Sequence, residues 1–396
     1  MKIHRILVEN IVAALEDIFR EGVYADKVIE RYFKNHRKWG SRDRKFFAES
    51  VYEVVRWYRL LAFIADTEDD FWSILAVHWM RQGHQLPDME EFDGLDERIL
   101  DRENDVPNVA IEQSIPDWMY ERGLNEIGPE WDRIVAALNK PADVFLRANA
   151  LKATPEELIG ALRQEDIFAE RVSKDLPHAV RLSERKNVHA TKAFRDGLFE
   201  VQDAASQMVV PLLGVEPGHR VVDACAGAGG KSLHMASLMK NKGKIISMDI
   251  HEWKLKELKD RARRNGVDVI ETRLIDSSKV IKRMAETADR VLLDVPCSGI
   301  GVLRRNPDAK WKLGNEEIER LKLTQAEILA TYSQMTKKGG KLVYATCSLL
   351  PSENEQQVQK FLADHGDSWT LEKEIHIRPD REGFDGFYGA LLTRNK

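Results

Sequence analysis

Arg290-Val-Leu-Leu-Asp-Val-Pro-Cys-Ser-Gly299 is the stretch on which the fold turns. It opens as a short apolar run, the pattern of a strand covered on both faces, and stops at Pro-Cys-Ser. Further on, Lys341-Leu-Val-Tyr-Ala-Thr-Cys-Ser348 repeats the plan: a buried strand, then Cys, then Ser. The third cysteine of the chain, Cys225, sits at another strand end inside Val221-Val-Asp-Ala-Cys-Ala-Gly-Ala-Gly-Gly-Lys-Ser232. In an open α/β sheet such strands run parallel, and ligands bind beyond their carboxyl ends. All three thiols are therefore expected on one rim, with Cys297 and Cys347 facing a common crevice.

Outward from these strands, elements alternate as βαβ units require. Strands are expected at 220–224, 244–249, 269–275, 290–295 and 341–346, with helices at 204–213, 231–239, 252–265, 316–337 and 352–365. The tail Gly383–Thr393 reads as a closing hairpin. Upstream, Val144–Leu151 reads as a strand, and Thr154-Pro-Glu-Glu157 is a capping box that opens a helix. Alternation at Ala179–Leu182, a short helix near 189–195 and a strand at 198–202 complete a small α+β module. Residues 1–138 read as nearly all helix. Leu7, Ile11, Leu15, Ile18 and Phe19 form one stripe, and a second helix is expected from Asp26 as N-cap. A third follows Gly40-Ser41 with Phe47, Val51, Val54, Val55 and Tyr58 on one side, and others begin at Pro116 and Pro129. The fold class is thus α/β: an all-helical part at 1–138, an α+β module at 139–202 and a Rossmann-like domain at 203–396.

Composition narrows the setting. The 396 residues are 43% hydrophobic and 32% charged, with three cysteines and no Cys-x-x-Cys or His-x-x-x-His spacing. A disulfide framework and a zinc site are both disfavoured, and a reducing cytoplasm is expected. Glu9, Glu16 and Asp17 interrupt the apolar run behind the basic N-terminus, which argues against a signal peptide or membrane span. A net charge of −5 hides an uneven distribution. Residues 66–105 hold 13 Asp/Glu against 3 Lys/Arg, so the other 356 carry 57 Lys/Arg against 52 Asp/Glu. Lys34, Arg37, Lys38, Arg42, Arg44, Lys45, Arg56 and Arg59, interleaved with Trp39 and Trp57, suit RNA backbone contact with base stacking. The competing interpretation is a solvated helix face. The acidic stretch reads as a solvated loop or weak helix.

The glycine loop at 227–230 lets a ligand approach the backbone closely. A dinucleotide site lacks its third glycine, because residue 232 is Ser. A phosphate loop lacks its first, because residue 225 is Cys, although Gly230-Lys231-Ser232 supplies the end of that motif and Val291–Asp294 resembles its partner strand. S-adenosylmethionine is the third candidate. Asp223 is placed for the cationic amino end, Asp249 for the ribose hydroxyls and Asp276 for the region of the adenine. Singly, each Asp also suits a turn or helix cap. Two thiols and an acid beside a methyl donor are the parts needed to methylate carbon 5 of a cytosine. Thiolate addition to carbon 6 makes carbon 5 nucleophilic, and a base must later remove the carbon 5 proton.

Asp294-Val-Pro-Cys-Ser-Gly-Ile-Gly-Val-Leu-Arg-Arg-Asn-Pro-Asp308, Ala345-Thr-Cys-Ser348 and Asp223-Ala-Cys-Ala-Gly-Ala-Gly-Gly-Lys231 resemble the Sun-type, RsmB-like RNA cytosine-5 methyltransferases. Leu146-Arg-Ala-Asn149 with Lys152 is similar to the signature of their RNA-recognition-like module. Gln202-Asp-Ala-Ala-Ser-Gln207 is similar to their entry into the catalytic domain, and Ser41–Arg59 to an N-terminal NusB-like RNA-binding domain. The resemblance implies that Cys347 attacks carbon 6, Cys297 assists product release, Asp294 contacts the cytosine edge and Lys231 lies near cofactor and base. Cys225, Ala226, Gly227, Gly229, Gly230 and Lys231, with Asp223, Asp249, Asp276 and Asp294, would surround S-adenosylmethionine. The implied partner is RNA, ribosomal first and transfer RNA second, bound by a monomer without membrane attachment. Val295 departs from the usual Ala. A phosphate-loop nucleotidase and a non-catalytic RNA-binding assembly factor are the rivals from other classes.

Overall fold

The computed structural model describes residues 4–395, and the chain divides into two units. One comprises Met1–Lys140 with an excursion at Leu303–Asn315; the other comprises Pro141–Val302 with Glu316–Lys396. The first residues of the basic N-terminal opening lie outside the described residues. Among the described residues, no helix is long and apolar enough to cross a membrane.

The first unit is helical, with long helices at Arg5–Phe19, Ala25–Asn35, Ser41–Ala65 and Phe71–Arg81. Leu7, Ile11, Leu15 and Ile18 meet Phe47, Val51, Val54 and Val55 in one core. Two sequence expectations need correction. Tyr24 rather than Asp26 is the N-cap of the second helix, and Asp26 falls in its first turn, where a carboxylate favours the positive end of the helix. The acidic stretch is not loop or weak helix throughout. Phe71–Arg81 buries Phe71, Ile74, Leu75, Val77 and Trp79, because its charges flank the apolar segment instead of interrupting it. Asp70 caps this helix by accepting from Trp72 N.

The excursion completes the helical unit. Trp311 Nε1 donates to Val55 O at 2.7 Å, and Asp308 Oδ2 accepts from Ala25 N at 2.8 Å. Lys310 is buried, and its Nζ donates to Arg56 O at 2.6 Å and Asn139 Oδ1 at 3.2 Å. Burial lowers its pKa well below the ordinary lysine range.

The second unit holds two sheets. The smaller contains β1 (Phe145–Ala148), β2 (Ala169–Ser173), β3 (Leu176–Leu182) and β4 (Phe199–Val201), antiparallel in the order β2-β3-β1-β4. The helix Pro155–Arg163 packs on it, and the capping box forms: Thr154 Oγ1 accepts from Glu157 N while Glu157 Oε2 accepts from Thr154 N. The larger sheet contains β5 (Arg220–Asp223), β6 (Lys244–Asp249), β7 (Ile270–Leu274), β8 (Ala288–Asp294), β9 (Thr336–Thr346), β10 (Trp369–Ile377) and β11 (Phe387–Arg394). Their order is β10-β11-β9-β8-β5-β6-β7, with β5 to β9 parallel and β11 antiparallel to both neighbours. Side chains alternate between two buried faces. Val221, Ile245, Leu292 and Val343 enter one core, while Val222, Ile246, Val291 and Tyr344 enter the other.

This is a Rossmann-like sheet, and its chain order reverses between β5 and β8. The crevice outside the carboxyl ends of those strands is where such sheets hold ligands. Two boundaries differ from the sequence reading. The helix Asn315–Tyr332 ends early, in a 3-10 turn that seats Met335 in the core, and β9 then starts at Thr336. The tail is not a hairpin by itself. It supplies one strand, β11, which lies between β9 and β10, and its hairpin partner β10 precedes the tail.

Candidate active site

β8 ends at Asp294 and β9 at Thr346, with Asp294 level with Ala345 in a parallel register. The turns that follow bring Cys297 Sγ to 3.4 Å from Cys347 Sγ, and both residues are half-buried. The hydrogen bond with Cys347 and burial together push the Cys297 thiol well above the usual thiol range. Gly301 N donates to Cys347 O at 3.0 Å, tying the two turns through the backbone. Val295 is buried in the apolar cluster of one sheet face, so its additional methyl groups are absorbed by core packing.

Lys231, near the start of the helix Gly230–Leu238, pairs with Asp294: Nζ lies 2.6 Å from Oδ2. The same ammonium sits 4.8 Å from the centroid of the Phe387 ring, a cation–π contact. The catalytic candidates Asp294, Cys297 and Cys347 therefore leave two adjacent strand ends, and Lys231 reaches Asp294 from the first turn of the helix after β5.

That loop owes its shape to glycine. Gly227 and Gly229 have φ of 54° and 87°, and a Cβ on Gly229 would meet Leu258 at 2.4 Å. Ala226 N donates to Met248 O, and Gly227 N donates to Asp249 Oδ2, both at 2.9 Å. Asp249 Oδ1 also accepts from His251 N at 2.8 Å. Asp223 is fully buried and accepts from Ser232 Oγ at 2.6 Å, while its Oδ1 has no partner. Burial pushes its carboxyl up to about 7. Cys225 is half-buried, and its thiol too is pushed up by desolvation. Asp276 is exposed just past β7 and accepts from Ser277 Oγ at 3.0 Å.

An adenosyl sulfonium donor fits these residues. The unpartnered buried oxygen of Asp223 offers an acceptor to a cationic amino group, Asp249 ends the neighbouring strand, and nothing lies within 4 Å of the Cβ position at Gly227. A phosphate loop does not fit. Ser232, which would have to reach a metal ion, is fully buried and bonded to Asp223 and to Ser247 at 2.7 Å.

A clamp on this loop was not evident in the sequence. Arg147 is buried on β1, and its Nη1 donates to Gly230 O at 2.8 Å and to Gln202. Arg261 donates to Ala228 O at 2.9 Å and to Glu200 Oε2 at 2.7 Å. Buried Glu200 also takes Arg264 and Asn265. Lys152 Nζ donates to Asp196 O and Arg264 O, each at 2.7 Å, and Asn149 Nδ2 to Gly197 O at 2.9 Å. Through Arg147 the Leu-Arg-Ala-Asn…Lys signature thus ties the small sheet to the glycine loop, and through Asn149 and Lys152 to the end of the helix Glu252–Asn265. A charged residue inside an otherwise apolar strand was the available signal.

In the helical unit the basic set separates by exposure. Arg37, Lys38 and Arg42 are exposed. Arg56 is buried and serves Glu53 and Arg304 O, and Arg59 pairs with Asp117. Trp39 is half-buried, stacks on His36 at 4.4 Å and packs against Phe47 at the margin of the core.

A family model described as 16S rRNA methyltransferase RsmB/F matches residues 210–393, and one described as an RsmF/B-like methyltransferase ferredoxin-like domain matches residues 115–189. The chain is 32% identical to the probable ribosomal RNA small subunit methyltransferase B of a Synechocystis species, over 96% of this chain and 97% of the relative. The crystal structure of the protein PH0851 covers all of both chains with a TM-score of 0.83 at 26% identity. A methyltransferase homologue from Pyrococcus horikoshii covers 76% of this chain and 100% of its own, with a TM-score of 0.64 and 27% identity. The similarity to the Synechocystis protein runs nearly end to end, and the catalytic-domain model spans the cofactor loop and both cysteine motifs. The chain belongs to the ribosomal RNA small subunit methyltransferase B family.

Proposed function

We propose that this RNA methyltransferase, whose methyl donor is S-adenosylmethionine, modifies carbon 5 of a cytosine in small-subunit ribosomal RNA through a covalent bond from Cys347 to carbon 6. The observation that carries this reading is the 3.4 Å approach of the two sulfurs beside the Lys231–Asp294 pair. A single cysteine at a strand end is ordinarily an inert small hydrophobe; two thiols in contact in a ligand crevice are not.

Asp223, Asp249, Asp276 and the backbone of residues 225–230 would hold the donor, which supplies an electrophilic methyl group. Cys347 adds as thiolate to carbon 6, and the electron pair of the 5,6 double bond makes carbon 5 nucleophilic. Asp294 hydrogen-bonds the cytosine edge, and Lys231 holds that carboxylate in place. Once carbon 5 carries the methyl group, a base removes its proton and the sulfur–carbon 6 bond breaks, which restores the aromatic ring and the thiolate. Cys297 assists this elimination. The base must leave its helix or loop to reach the crevice.

Incubation with labelled S-adenosylmethionine and small-subunit ribosomal RNA, followed by mapping of the product, tests the reading. 5-Methylcytosine at one position is the expected result. Methylation at another atom, or of transfer RNA alone, would overturn it.

A further inference from the structure

Each of the two paired cysteines is followed by a serine, and nothing in the two-thiol chemistry requires one. Both serines turn away from the crevice into the protein, where Ser298 is 8% and Ser348 0% exposed. They meet at Glu353, which is also fully buried. Glu353 Oε1 accepts from Ser298 N at 2.8 Å and from Gln325 Nε2 at 2.9 Å. Its Oε2 accepts from Ser298 Oγ at 2.5 Å and from Ser348 Oγ. The two hydroxyl oxygens are themselves 3.2 Å apart.

Further bonds tie the carboxylate's surroundings to the same two turns. Gln325 Nε2 also donates to Pro296 O at 3.0 Å, and Tyr344 Oη donates to Glu353 O at 2.6 Å. Asn354 Nδ2 donates to Ser348 O at 3.1 Å. Among the described residues Glu353 has no cationic partner; every donor to its carboxylate is neutral. A buried carboxylate without a counter-ion is costly unless its lone pairs are filled, so its retention here points to a geometric task.

We propose that Glu353 is the positioning residue that sets the spacing of the two thiols. Both carboxylate oxygens hold Ser298, the residue after Cys297, and Oε2 also holds Ser348, the residue after Cys347, so the two turns cannot separate without breaking a shared acceptor. Glu353 stays out of the reaction itself, because its oxygens are sealed from the crevice by the serines. The effect on turnover rests on the reading that both thiols act on one base; the effect on thiol spacing does not.

The test uses full-length protein without RNA. Diamide accepts two electrons and two protons from a thiol pair in contact, leaving a disulfide that peptide mass mapping identifies. Wild-type protein is expected to form the Cys297–Cys347 bond readily. Ser348→Ala and Glu353→Ala are expected to slow it about tenfold, since disulfide closure depends steeply on thiol geometry. Glu353→Gln, which preserves shape and acceptor, is expected to recover most of the rate. In methylation assays Glu353→Ala should lower kcat about 100-fold with KM for S-adenosylmethionine little changed, as a misplacement near 1 Å does. Wild-type closure rates in Ser348→Ala and Glu353→Ala, or, where Glu353→Ala fails to fold, in Ser348→Ala alone, would overturn the proposal. Slowed closure in variants of a protein that makes no 5-methylcytosine would instead overturn the functional reading and leave the positioning role standing.

Discussion

Cys297 and Cys347 touch through their sulfur atoms at 3.4 Å, although fifty residues separate them in the chain. The contact follows from topology: β8 and β9 are adjacent parallel strands, so their carboxyl ends share one rim, and each thiol lies within three residues of its strand end. The contact can be probed without substrate.

The first consequence concerns Cys297 alone. Its thiol is raised chiefly by the bond with Cys347. Cys347→Ala removes that cause, so the pH midpoint for alkylation of Cys297 by iodoacetamide should fall and its reaction at pH 8 should accelerate. An unchanged midpoint would mean that burial alone sets the reactivity of Cys297.

Asp223 governs a stability change with pH. Its folded carboxyl is raised to about 7 from an ordinary value of 3.8, so the folded protein binds the proton more tightly than the unfolded chain. Stability from this group is complete below pH 4 and is lost as pH rises through 7, on the order of 4 kcal/mol in all. Asp223→Asn removes the titration. Thermal melts of the variant should lose less stability than wild type between pH 4 and 7, and parallel curves would contradict the assignment.

Arg147 separates cofactor positioning from RNA contact. Its guanidinium is buried against Gly230 O, so Arg147→Met should weaken S-adenosylmethionine about tenfold, the worth of one charged hydrogen bond. RNA affinity should hold. Calorimetry with each ligand distinguishes this from a direct RNA role, in which the losses would be reversed.

Much of the site could be read from sequence because parallel strands buried on both faces are nearly pure apolar runs, and their ends are marked by Pro-Cys-Ser and Thr-Cys-Ser. Of the edge strands, β4 and β7 matched expected strands, whereas β2 and β10 were not legible. β2, Ala169-Glu-Arg-Val-Ser173, and β10, Trp369-Thr-Leu-Glu-Lys-Glu-Ile-His-Ile377, are half-exposed and carry charges that blur their alternation. The helix Phe71–Arg81 was masked by acidic neighbours that average over its apolar interior. Arg147, Glu200 and Glu353 were missed for another reason. A buried charge resembles a surface charge in a linear chain, and apart from Ser348 beside Glu353 the partners lie 28 to 83 residues away. The excursion 303–315 likewise reads as part of the catalytic domain until the helical unit supplies acceptors for Lys310 and Trp311.

The division of labour between the two thiols is tested most directly by trapping. Cys297→Ala, incubated with S-adenosylmethionine and small-subunit ribosomal RNA and run on a denaturing gel, should show a protein–RNA adduct that survives denaturant and is lost on nuclease digestion. Cys347→Ser and the double variant should show none. An adduct in Cys347→Ser, or none in Cys297→Ala, would contradict the assignment of Cys347 as the nucleophile.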